Sequence, residues 1–144
     1  MDFLLYLLNK ITPVPSSLEC DLRNLLFRKT MPKGALILME GEICDNIYFL
    51  RKGRARCFKY TRDGIESFQG YRTSGDLIIP LQHALDRRPS NYNVLASEDC
   101  EYWCMQGRDF QRTRRLFPEW KVYQDYLEEK CRQQQEQDFL ARII

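Results

Sequence analysis

The sequence predicts a mainly β protein: a roll of short strands flanked by two N-terminal helices and one long C-terminal helix. Residues 27–105 form short runs rich in β-branched and aromatic side chains, cut by Gly34, Gly41, Gly53, Gly64, Gly70 and Gly75. On both sides of this block apolar residues recur at helical spacing. After Pro118 the chain has no further glycine or proline, which suits one long helix.

The first helix carries Leu4, Leu7, Leu8 and Ile11 on one face. Pro13 and Pro15 end it, because proline lacks an amide donor and restricts the residue before it. The second helix runs to about residue 26, with Ser16 or Ser17 as its cap, Glu19 in its first turn and a stripe of Leu18, Leu22, Leu25 and Leu26.

Strands are expected at 27–31, 35–39, 46–51, 54–60, 66–71, 93–96 and 101–105, with turns at Pro32-Lys33-Gly34, Lys52-Gly53 and Asp63-Gly64. In the fourth, Ala55 and Cys57 alternate with Arg56, Phe58 and Tyr60, and Asp63-Gly64 supplies the positive backbone angles of a tight hairpin. Short strands at regular spacing favour a sandwich or barrel.

A short basic helix, 107–117, follows, and Pro118 stands where a helix start tolerates it. The terminal helix, 118–144, carries Trp120, Tyr123, Tyr126, Leu127 and Cys131, then a polar interval over 132–138, then Phe139, Leu140, Ile143 and Ile144. Such side chains need cover. Pairing with a second copy through Tyr123, Tyr126, Leu127, Cys131, Phe139, Leu140 and Ile143, continuation of the natural chain beyond Ile144, or both, would supply it.

Length and composition bound the possibilities. A chain of 144 residues holds one domain, and 44% hydrophobic with 29% charged residues is ordinary for a folded protein. Lys and Arg total 22 against 20 acidic residues, so the net charge of +2 gives no strong attraction for a phosphate backbone. The apolar run from Phe3 to Leu8 is too short for a signal peptide or a membrane span, which points to the cytoplasm and to no membrane partner. Six cysteines without a CxxC pair are expected as reduced thiols.

The order of elements, with Pro32-Lys33-Gly34, Glu40-Gly41-Glu42, Ile47-Tyr48-Phe49-Leu50, Lys52-Gly53 and Asp63-Gly64, resembles the sensor domain of the Crp/Fnr family of bacterial transcription regulators. The resemblance covers nearly the whole chain. It implies a double-stranded β-helix, or jelly roll, of the cyclic-nucleotide-binding type over residues 1–117, with N-terminal helices over 1–26 and the roll over 27–105. It also implies a dimerisation helix over 118–144 that is cut short before a helix-turn-helix domain. The function it implies is binding of a small-molecule effector, relayed through a homodimer helix. DNA would be read only by a domain absent from this chain. The alternative is a stand-alone or degenerate module that binds no ligand and serves as a dimerisation scaffold.

Such a roll grips a cyclic nucleotide with a glycine-acid pair, backbone amides at a short helix start, and an arginine beside a small hydroxyl residue. Gly75-Asp76 stands where the family has glycine and glutamate, and Leu77 and Ile78 lead into the short-helix region, 78–85. The phosphate-binding pair should fall near Ser90-Asn91, where no arginine stands. Arg87 and Arg88 lie just upstream, so they either shift to the phosphate or belong to a solvated loop of turn composition. The ligand is therefore left open between a cyclic nucleotide and another small anion.

Other chemistry finds little support. Cys100 and Cys104 share a strand face, which more often means core packing than metal or redox chemistry. Cys20 alone does not make the cysteine cluster of an iron–sulfur sensor, and the single His83 does not make a cupin metal site. No nucleophile–base pattern, phosphate loop or metalloprotease motif occurs, so neither a catalytic nor a metal site is expected. Arg108, Arg112, Arg114 and Arg115 read as a solvated helix face.

Overall fold

The computed structural model describes residues 2–143, with side chains described at all of these except 134, 135, 138, 139 and 141–143. Two helices, α1 (Asp2–Ile11) and α2 (Ser16–Leu25), lead into seven strands: β1 (Phe27–Met31), β2 (Leu36–Leu38), β3 (Asn46–Lys52), β4 (Ala55–Tyr60), β5 (Glu66–Arg72), β6 (Asn93–Ala96) and β7 (Cys100–Gln106). A short helix, α3 (Leu81–Asp86), separates β5 from β6, and α4 (Gly107–Leu116) and α5 (Glu119–Ile143) close the chain. Every strand lies within one residue of its expected limits.

The strands form two antiparallel sheets, ordered β1-β7-β3 and β2-β6-β4-β5. Strands distant in sequence are neighbours, as a jelly roll requires. In β4 the alternation is as expected: Ala55 and Cys57 are fully buried, while the Arg56 guanidinium and the Tyr60 ring cover Phe58 on the other face.

Two local expectations are corrected. Neither Ser16 nor Ser17 caps α2; Pro15 is its cap residue and no side chain bonds to the free amides. In the β4–β5 turn only Gly64 takes a positive φ, of 76°. The turn closes through Thr61, whose amide donates to the Ile65 carbonyl and whose hydroxyl accepts from the Ile65 amide, so Asp63 needs no left-handed backbone.

The core lies between the sheets and under the helices. From α1, Leu4, Leu5 and Leu8 join Leu18 and Leu22 of α2 against it. From the other end α5 folds back: Trp120 packs edge-on between Phe110 and Tyr123, and the Tyr123 hydroxyl reaches the carbonyls of Thr12 and Pro13 at 3.2 and 3.3 Å. The long helix is thereby held along β5 and α1 of its own chain.

Candidate functional site

Gly75, at φ 93°, turns the chain out of β5 and lays the following residues along β3. The Gly75 amide donates to the Leu50 carbonyl, the Leu50 amide to the Asp76 carbonyl, and the Ile78 amide to the Tyr48 carbonyl, at 2.8, 2.9 and 3.0 Å. Leu77 and Ile78 thus become core residues, 2% and 0% exposed. Of the expected binding stretch, Asp76 is the polar side chain aimed inward, at 8% exposure.

The Asp76 carboxylate is already engaged. Its Oδ2 accepts from the Thr73 amide at 2.8 Å and the Thr73 hydroxyl at 3.2 Å, and its Oδ1 faces Lys130 Nζ of α5 at 3.6 Å. Helix α5 meets the same stretch twice more. Glu128 Oε1 accepts from the Gln82 amide at 2.9 Å in the first turn of α3, and Gln124 Nε2 donates to Gln82 Oε1 at 2.9 Å. The segment expected to hold a ligand is therefore tied to the terminal helix.

The expected arginines do not converge on this stretch. Arg87 ends α3 in the left-handed conformation, φ 53°, and its exposed guanidinium pairs with Asp45 at 2.6 Å. It borders a cleft of about 500 Å³ between α3 and α4, outside the roll. Arg88 is exposed and pairs with Asp86 at 3.0 Å, and Asn91 is exposed beside them. A five-residue stretch of turn composition follows Asp86, and its charged ends go to water and to neighbouring carboxylates. Ser90 is buried for a structural reason: its hydroxyl donates to the Tyr92 carbonyl at 2.6 Å, and its backbone bonds with Gly41 and Glu42.

A different arginine occupies the interior. Arg72, the last residue of β5, pairs in register with Ala55 and is 1% exposed. Its Nη2 donates to Tyr92 Oη at 3.0 Å and its Nη1 to the Tyr71 carbonyl at 3.3 Å, with the guanidinium 5.5 Å from the Tyr92 ring centre. Tyr92 in turn donates to the Ile78 carbonyl at 3.4 Å. Arg72 Nε has no partner among the described residues, and none of their ion pairs includes this guanidinium. Burial opposes its charge while Cys57, Tyr92 and Cys131 of α5 act to hold its proton. Burial pushes the Tyr92 hydroxyl up to about 12, against the pull of Arg72. Sequence reading misses Arg72 because side-chain type alone ends the strand at residue 71; the signal that finds it is the inward series of Ala55 and Cys57 continued across the hairpin, which sets Arg72 opposite Ala55.

The expected dimer positions divide. Tyr123, Leu127 and Cys131 are 0%, 5% and 7% exposed, packed within their own chain, so they offer no free face. Tyr126 and Leu140 are exposed, as is Val122. The side chains of Phe139 and Ile143 lie outside those described. The correction follows from α5 docking on β5 and α1, which uses the stripe that the sequence assigned to a partner.

Among the described residues no disulfide forms, and Cys100 and Cys104 are buried in the core. Among the described residues no three His, Cys, Asp or Glu side chains are grouped to hold a metal ion, and no helix is long and apolar enough to cross a membrane.

Residues 28–115 match the profile of the family described as Cyclic nucleotide-binding domain. Among solved structures, a cyclic nucleotide-binding domain from Methylobacillus flagellatus KT is similar with a TM-score of 0.83 at 14% identity, over 98% of this chain and 83% of that one. The catabolite activator protein of Thermus thermophilus is similar with a TM-score of 0.68 at 21% identity, over 90% of this chain and 59% of that one. The regulatory domain of Toxoplasma gondii PKA, crystallised with cAMP, gives 0.69 at 21%, over 90% of this chain and 46% of that one. The chain thus spans about half the length of the last two, and at these identities the likeness is one of fold. No curated protein matches in sequence.

Proposed function

The chain belongs to the cyclic nucleotide-binding domain family, and from that premise we propose that it is the effector-sensing domain of a Crp/Fnr-like transcription regulator. It binds a small anionic ligand in the roll and relays occupancy through α5, which pairs with a second copy. DNA reading belongs to a separate domain. The relay is an equilibrium between two placements of α5, and a ligand shifts it only by binding one placement more tightly than the other.

The observation that carries this reading is the threefold attachment of α5 to the 75–86 stretch, through Lys130 to Asp76, Glu128 to the Gln82 amide and Gln124 to the Gln82 side chain. A ligand that approaches Asp76 or α3 competes directly with α5 for the same groups. The fold shared with a PKA regulatory domain crystallised with cAMP supports a small anion as the ligand class.

A second reading, a ligand-free scaffold, is favoured by the ion pairs that already occupy Arg87 and Arg88. Calorimetric titration with cyclic AMP, cyclic GMP and a panel of phosphorylated metabolites, with amide exchange of α5 followed in parallel, separates the two. Binding accompanied by changed exchange over residues 124–131 supports the sensor. Binding without that change removes the relay, and absence of binding across the panel leaves the scaffold.

A further inference from the structure

We propose that Arg72, with the Tyr92 hydroxyl, is the anion-binding arginine of this domain, and that it takes the phosphate of the ligand from β5 in place of Arg87 and Arg88. The inference rests on the ligand-binding reading above and names the residue that performs it.

A guanidinium offers five N–H donors and stays charged at any pH a folded protein meets. Buried charge without a counter-charge is costly, so interiors normally pair it with a carboxylate or leave the position apolar. Arg72 has neither arrangement among the described residues: its guanidinium donates to a tyrosine hydroxyl and a backbone carbonyl, both neutral, and its Nε is unsatisfied. It is 1% exposed, inside the roll, on the strand that leads directly into Gly75-Asp76. A phosphate monoanion or diester supplies what is missing, because its two charged oxygens match the fork of the guanidinium and one of them can also accept from a phenol.

Tyr92 fits the second role. Its proton is held up to about 12, so at neutral pH it is a donor, and its present acceptor, the Ile78 carbonyl, is a long 3.4 Å away. Arg87 and Arg88 have solvent and carboxylate partners and sit outside the roll, so nothing in their setting calls for an anion. Arg72 ends β5, the strand on which α5 packs, so the terminal helix lies against the strand that carries this site. Occupancy at Arg72 is thereby coupled to the attachments of α5 at Gln82 and Asp76.

The test compares the full chain with Arg72→Met, Tyr92→Phe and the double variant Arg87→Ala/Arg88→Ala, titrated calorimetrically with cyclic AMP, cyclic GMP and inorganic phosphate and melted with and without each. The expected result is binding of at least one probe by the unaltered chain, lost at least tenfold in Arg72→Met, weakened several-fold in Tyr92→Phe and unchanged within twofold in the double variant. Without ligand, Arg72→Met should melt no lower than the unaltered chain, because a buried uncompensated charge has been removed; a merely structural arginine would lower the melting temperature instead. Should Arg72→Met fail to fold, Tyr92→Phe still decides. Equal binding by Arg72→Met or Tyr92→Phe, or loss in the double variant, overturns the assignment while leaving the ligand-binding reading intact. Failure of the unaltered chain to bind these three probes or any phosphorylated metabolite of the panel overturns both.

Discussion

Lys130 Nζ lies 3.6 Å from Asp76 Oδ1, joining the terminal helix to the carboxylate that opens the 75–86 stretch. Asp76 is 8% exposed but the lysine side chain is 46% exposed, so water screens the pair and its contribution to stability is small, about 0–1 kcal/mol. Its effect should appear in local opening instead. Lys130→Ala is expected to unfold within about 1 kcal/mol of the unaltered chain, yet exchange its amides faster over residues 124–131. Unchanged exchange there would mean that the contact does not hold α5.

Stability should fall at alkaline pH. Burial raises Cys104 from 9.0 to about 11, and likewise raises Cys44, Cys100 and Cys131 above the same ordinary value. Below pH 9 both folded and unfolded thiols keep their protons, and these groups add no slope. Above it the unfolded chain loses protons that the folded chain retains, so the unfolded state gains. Urea unfolding should therefore show stability level from pH 7 to 8 and declining from 9 toward 11, with a shallower decline in Cys104→Ala. A profile flat to pH 10.5 would contradict the burial of these thiols.

Two glycines with left-handed backbones should respond differently to a methyl group. At Gly64, φ 76°, an added Cβ meets nothing, and alanine should cost about 1–2 kcal/mol from the backbone alone. At Gly53, φ 96°, the Cβ would overlap the Asp99 carbonyl oxygen and come within 3.0 Å of Cys100 Cα, both backbone atoms at the start of β7. Since β7 is the central strand of its sheet, it cannot shift without disturbing β1 and β3. Gly53→Ala is expected to cost about 3 kcal/mol or more, and denaturant midpoints for the two variants compared side by side check the order.

How much of this was legible from residues alone differs between frame and site. Strands such as 27–31 and 93–96 could be bounded because side-chain type and turn glycines are local signals. The Arg72–Tyr92 contact joins two residues twenty positions apart, and its meaning depends on the register that sets Arg72 opposite Ala55. Register is a tertiary property that side-chain type does not encode, whereas the turn composition around Arg87 and Arg88, which leaves them exposed, is a local signal. The α5 stripe is ambiguous for a related reason: periodicity identifies an apolar face but does not say whether the same chain or another covers it.

That ambiguity in α5 yields the last prediction. Leu127 is 5% exposed against its own roll, whereas Tyr126, its neighbour in sequence, is 55% exposed and turned away. If a second copy pairs with this helix, it meets Tyr126, Val122 and Leu140, since Tyr123, Leu127 and Cys131 are already packed. Leu127→Ala should then lower folding stability by about 2–5 kcal/mol, the range for truncating a buried leucine, to the same extent at every protein concentration. Tyr126→Glu should leave the unfolding of the single chain nearly unchanged but shift sedimentation toward the monomer. The opposite pattern, with Leu127→Ala changing only association, would mean that α5 leaves the roll in the dimer and that its inner face, not its outer one, meets the partner.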